Sequence, residues 1–88
     1  MSKRYPAIYF TDKRGEHRVR FLDIDFVHIR GENRDHAKHE AVRALGLLVD
    51  DAQRNQRALP APTVDPKVED GELFFVSDDE ALKAHEGV

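Results

Sequence analysis

The sequence predicts an α+β fold: a two-layer β-β-β-α-β sandwich with an antiparallel three-strand meander, one helix and a returning fourth strand. Three observations lead there. Residues 5–30 hold three short aromatic or β-branched stretches separated by polar turns. Residues 34–57 carry small and apolar side chains at spacings of three and four, with no proline before Pro60. A final apolar run follows Gly71. With 88 residues the chain forms one small domain, because so short a chain buries only about 60–65% of its unfolded surface.

The first strand is Tyr5-Pro6-Ala7-Ile8-Tyr9-Phe10-Thr11, with Pro6 near its start because proline donates nothing to a ladder. Asp12-Lys13-Arg14-Gly15 is a turn. Glu16 to Phe21 then alternates, Val19 and Phe21 on one face and Glu16, Arg18 and Arg20 on the other, so the two stretches form a hairpin. After a turn at Asp23-Ile24-Asp25, a third strand runs from Phe26 to Arg30, with Val27 and Ile29 inward and His28 and Arg30 outward. Gly31 ends it.

Asn33 is a suitable helix N-cap, and Asp35 complements the dipole in the first turn. The helix over residues 34–57 presents Ala37, Ala41, Ala44, Leu45, Leu48 and Ala52 on one stripe, small enough at its start to lie close to a sheet. Val42, Leu47 and Val49 widen that stripe and are expected to form an oligomer interface, most simply that of a dimer. Leu59-Pro60-Ala61-Pro62-Thr63-Val64-Asp65-Pro66 is a stiff connector. Glu72 to Val76 is the fourth strand, and Ser77 or Asp78 caps a short helix through Ala84 or His85. The division expected is a domain over residues 1–77 and a short acidic C-terminal helix or tail over 78–88.

Composition narrows function. The chain is 40% hydrophobic and 35% charged and has no cysteine, which excludes disulfide scaffolds, thiolate zinc sites and thiol catalysis. No apolar run approaches the roughly 18 residues of a membrane span. The N-terminal residues lack the apolar stretch of a signal peptide, so a cytoplasmic protein without membrane contact is expected. The net charge of −3 hides an asymmetry: residues 1–64 hold 12 Lys and Arg against 9 Asp and Glu, whereas residues 65–88 hold 2 against 8. An acidic last quarter attracts basic partners or simply aids solubility.

Several pieces together resemble the HicB-like antitoxins. Arg4-Tyr5-Pro6-Ala7 opens the first strand as it does there, and Phe21-Leu22-Asp23-Ile24-Asp25-Phe26-Val27 stands where that family reads Phe-Pro-Asp-Leu-Pro-Gly-Cys. Gly31-Glu32-Asn33 matches its Gly-Asp-Thr, Asp35-His36-Ala37 and Glu40-Ala41 echo its helix, and Leu59-Pro60-Ala61-Pro62 is similar to its Leu-Pro-x-Pro connector. The resemblance covers about residues 4–77. It implies a partial ribonuclease-H-like fold and service as the antitoxin of a toxin–antitoxin pair. The partner it implies is a small basic mRNA-cleaving ribonuclease of the double-stranded-RNA-binding fold. The chain departs from the central motif at Leu22, Asp25, Phe26 and Val27. Residues 78–88 are too few for the DNA-binding domain many members carry, so no direct operator contact is expected.

The chemistry-bearing residues are weighed against this reading. A metal-dependent nuclease needs carboxylates converging on paired cations. Asp12, Asp23, Asp25, Glu40, Asp50 and Asp51 fall at turns or along the helix rather than together, so no catalytic residue and no metal or other cofactor is expected. His36, His39 and Glu40 share one helix side and would need a further ligand such as His28 to hold a metal; a solvated helix turn is the plainer reading. Lys3, Arg4, Lys13, Arg14, Arg18 and Arg20, with Tyr5, Tyr9 and Phe10, suit either a nucleic-acid face or a charge-protected sheet edge.

The function expected is therefore a non-enzymatic protein-binding domain that covers the active surface of a basic toxin. Charge complementarity nominates Asp23, Asp25, Asp70, Glu72, Asp78 and Asp79 as partner contacts. The alternatives are a stand-alone homo-oligomeric regulatory or scaffolding domain, or a small nucleic-acid-binding module.

Overall fold

In the computed structural model, which describes residues 3–24, 29–68 and 70–86, the strands are β1 (Arg4–Thr11), β2 (His17–Phe21), β3 (Ile29–Gly31) and β4 (Glu72–Ser77). The helices are α1 (Arg34–Arg54), between β3 and β4, and α2 (Asp78–Glu86), after β4. The fold is α+β, with a four-stranded antiparallel sheet in the order β3-β2-β1-β4. No helix among the described residues is long and apolar enough to cross a membrane.

Alternation sets the two faces of the sheet. The pairs Ala7 with Phe21, Tyr9 with Val19, Tyr5 with Val76 and Val19 with Ile29 share the face that packs on the helices. Tyr5, Ala7, Val19, Phe21, Ile24, Ile29 and Val76 join Ala37, Ala41, Leu45, Val49 and Ala81 in one buried cluster. The opposite face carries Arg4, Pro6, Ile8 and Phe10 of β1, Arg18 and Arg20 of β2, Arg30 of β3, and Leu73 and Phe75 of β4. The hairpin turn is held by Asp12, whose carboxylate accepts the N–H groups of Arg14 and Glu16 and the Arg18 guanidinium. Of the third strand expected from Phe26, residues 26–28 lie outside the described residues, and only Ile29 and Arg30 are seen, inward and outward as their spacing requires.

Helix α1 starts as the sequence indicates. The Asn33 side chain accepts the His36 N–H at 2.8 Å, satisfying one of the orphan donors of the first turn. It ends three residues earlier than expected, because the chain turns into the left-handed region at Gln56 (φ 54°). The Arg57 N–H then bonds to the Ala52 carbonyl at 2.8 Å and the Gln56 N–H to that of Gln53 at 3.4 Å, which is the Schellman pattern. Glutamine occupies the position where glycine is unstrained.

The second helix changes the architecture. Rather than an appended tail, α2 belongs to the helical layer, and Ala81 is fully buried in the common core. Its start is a reciprocal capping box, the Ser77 hydroxyl accepting the Glu80 N–H and the Glu80 carboxylate accepting the Ser77 N–H, both at 3.1 Å. The contact that seats it is Gly46, where any Cβ would collide with the Ala81 carbonyl oxygen and the Cβ of His85. A boundary between residues 77 and 78 therefore does not describe the packing. Val49, expected at an oligomer interface, is buried in this chain's own core, and Val42 packs half-buried against it; only Leu47 stays exposed.

Two stability measurements follow. Gly46→Ala raises helix propensity by about 1 kcal/mol on a free helix surface; here the collision with Ala81 is expected to reverse the sign, with a loss of about 1–3 kcal/mol in urea denaturation. Gln56→Gly is expected to gain about 1 kcal/mol by relieving the left-handed cap. A neutral or destabilising result would show that the Schellman turn carries no strain.

Candidate functional site

Strand order places β4 at one edge of the sheet, bonded to β1 on one side and to no strand among the described residues on the other. Its inner segment, Leu73-Phe74-Phe75-Val76, has no charge, proline or glycine, the devices that normally blunt an edge. Phe74 and Val76 face the helices, Val76 fully buried. Leu73 and Phe75 face the other way, and Phe75 is 38% exposed with the Arg4 guanidinium 4.9 Å from its ring centre.

Acidic residues stand at both ends of this apolar strip. Asp70 is exposed just before β4; Asp78, Asp79 and Glu80 form the first turn of α2 just after it. A six-residue strand spans roughly 20 Å, so the two groups bracket the edge and do not merge into one patch. The nominated acids thus have different duties. Asp70 and Asp79 are exposed. Asp78 accepts the Lys3 N–H at 2.9 Å, pinning the start of β1 to α2. Asp23 accepts both the N–H and the hydroxyl of Thr63, at 2.8 and 2.5 Å, and so clamps the connector to the end of β2. Asp25 lies outside the described residues.

Glu72 is tied inward. Its carboxylate receives a forked pair from Arg34, 2.9 and 2.7 Å to one oxygen and 2.6 Å to the other, and a further bond from Lys38. The Lys38 ammonium in turn sits 4.8 Å from the Phe74 ring centre. The hydrogen bonds from Lys38 and then Arg34 hold the Glu72 carboxyl below the usual range, and the same contact raises Arg34. Tyr5, whose hydroxyl donates to the Pro60 carbonyl at 2.8 Å, is pushed up, first by burial and then by the charges of Asp78 and Asp23.

The residues weighed for catalysis are held in separate local contacts: Asp12 with Arg18, Glu40 with His36 and Arg43, Asp50 with Arg54 and His85, Asp51 with Arg57. Among the described residues no group of three or more His, Asp or Glu is placed to hold a metal ion. What sequence reasoning missed is Phe75 and its edge strand, which has no further partner among the described residues. The signal was present, since an apolar run without alternation means both faces of a strand carry hydrophobic side chains; only strand order shows that it lies at an edge.

The Glu72 tether has a pH signature. A carboxyl lowered by folding stabilises the fold above its unfolded pKa and loses that contribution as pH falls through the lower, folded value. Glu72→Gln is thus expected to lower the melting temperature at pH 7, and the gap from the parent chain to shrink steadily with acid below about pH 4.5. A gap independent of pH between 7 and 2 would show that the ion pairs contribute nothing.

Compared with known proteins, the chain matches no family model, no curated protein and no solved structure.

Proposed function

We propose that this chain is a non-enzymatic protein-binding domain, an antitoxin of the HicB-like kind, which engages a small basic mRNA-cleaving toxin along the β4 edge and excludes RNA from it. The observation that carries the reading is the uncharged strip Leu73–Val76 bracketed by Asp70 at one end and by Asp78 and Asp79 at the other. Backbone groups of a free edge accept an added strand, exposed Phe75 supplies an apolar contact, and the flanking carboxylates select a basic partner. The partial ribonuclease-H-like description of the fold belongs to the same proposal; the antiparallel meander followed by a long helix supports it, with α2 as an addition.

The brackets also bear on what the edge rejects. A two-fold antiparallel pairing of β4 with itself centred on Phe74 brings Asp70 of each copy to the start of α2 in the other, where Asp78 and Asp79 stand. Like charges directly opposite destabilise a pair, so the pattern favours a different, basic chain over a second copy.

The test is binding kinetics against a candidate small basic toxin, sought in the gene adjoining the one that encodes this chain. Asp70→Asn with Asp79→Asn is expected to slow association severalfold at low salt, with the difference vanishing near 0.5 M salt. Phe75→Lys is expected to speed dissociation at least tenfold with the fold retained, because the side chain is on the outer face. No binding by the unmodified chain overturns the pairing; binding unaffected by Phe75→Lys overturns the edge.

A further inference from the structure

At the far side of the sheet from β4, the outer face is basic. Arg18 and Arg30 are direct partners across β2 and β3, and Arg20 lies two residues along β2 on the same face, roughly 7 Å from Arg18. Like charges opposite each other on adjacent strands cost stability. Two carboxylates offset part of that cost. Asp12 meets Arg18 at 2.5 Å, and one oxygen of Glu16 meets Arg18 at 3.1 Å and Arg30 at 3.9 Å. Arg20 is exposed with no ion-pair partner among the described residues, and two-thirds of the Arg30 side chain is exposed. Exposed Lys13 and Arg14 stand in the adjoining turn, and Phe10 lies half-buried opposite Arg18 on the same face.

Beside this group is a shallow hollow of about 520 Å³ lined by Gly15, Glu16, His17, Arg30, Gly31 and Glu32, with His36 at its rim. Gly15 leaves backbone exposed there, Arg30 brings a guanidinium, and the hollow is large enough for one nucleotide.

We propose that the β2–β3 face binds single-stranded RNA, with Arg18, Arg20 and Arg30 on successive phosphates and the hollow beside Arg30 receiving one nucleoside. A single strand fits better than a duplex because the face is shallow and presents no helix to enter a groove, while Phe10 offers a ring for stacking. RNA fits better than DNA because of Glu16. One of its oxygens holds the arginines, and the other has no hydrogen-bond partner among the described residues, leaving it to accept a ribose 2′-hydroxyl. This surface is separate from the β4 edge, so it stands or falls independently of the antitoxin reading.

The test is fluorescence anisotropy of labelled oligouridine and oligothymidine with the full chain. Three phosphate contacts on a single strand give a log–log salt slope of about −2, so affinity for oligouridine is expected to fall roughly 15–20-fold between 50 and 200 mM salt. Arg20→Ala with Arg30→Ala is expected to weaken binding at 50 mM salt at least tenfold and to flatten the slope to about −0.7, with an unchanged thermal melt. Glu16→Ala is expected to erase the preference for oligouridine. No binding at 50 mM salt, binding that survives the double variant, or equal affinity for oligothymidine in the unmodified chain would each overturn the proposal.

Discussion

Helix α1 meets its neighbours through side chains that are nearly absent: alanine toward the sheet, at Ala37 and Ala41, and glycine toward α2, at Gly46. A core this small has few large residues to spare, and dispersion falls off steeply with separation. Close approach therefore does what bulk does in larger domains. It lets one helix touch three strands and a second helix at once, and it leaves the large side chains Tyr5, Phe21, Ile24, Leu45 and Val76 to fill the middle. Gly31 extends the same rule to the top of the sheet, where a Cβ would strike the backbone of α1 at Ala37.

The positions of the strands and of α1 were legible because two periodicities stand out. Val19 and Phe21 alternate with Arg18 and Arg20, and Ala37, Ala41, Leu45, Ala52 recur at helical spacing. What was not legible arises between elements. Val49 reads as surplus on an isolated helix, yet the structure buries it in the shared core. Residues 78–88 read as a short acidic helix or tail; the helix is there, but its place in the core rests on one small residue, Ala81, which charge-dominated composition does not single out. Glu72 reads as free charge because its cations, Arg34 and Lys38, are more than thirty residues away in sequence. Charge counts locate acids along the chain; only the fold shows which of them are already engaged.

Viewed as a charge distribution, the domain has two poles on one sheet. The β2–β3 side collects arginines and the β4 side is bracketed by aspartates, with β1 between them. The net charge of −3 is a poor guide to either. Local potential at a surface depends on charges within about a Debye length, near 8 Å at physiological salt, which is shorter than the width of this sheet. An acidic protein can thus offer one partner a basic face and another an acidic edge without the two interfering.

The hydrogen bond from Tyr5 to the Pro60 carbonyl also has a spectroscopic consequence. The chain has no tryptophan and two tyrosines, so its near-ultraviolet emission comes from Tyr5 and Tyr9 alone. Tyr5 is buried and bonded to the connector, whereas the Tyr9 hydroxyl shares a 2.6 Å hydrogen bond with His17 Nδ1 at the opposite end of the strand. Each phenol thus reports on a different region: Tyr5 on the docking of the proline-rich connector, Tyr9 on the hydrogen bond beside the hairpin. The two ends of the central strand each carry an intrinsic reporter, and a Tyr9→Phe variant separates one signal from the other.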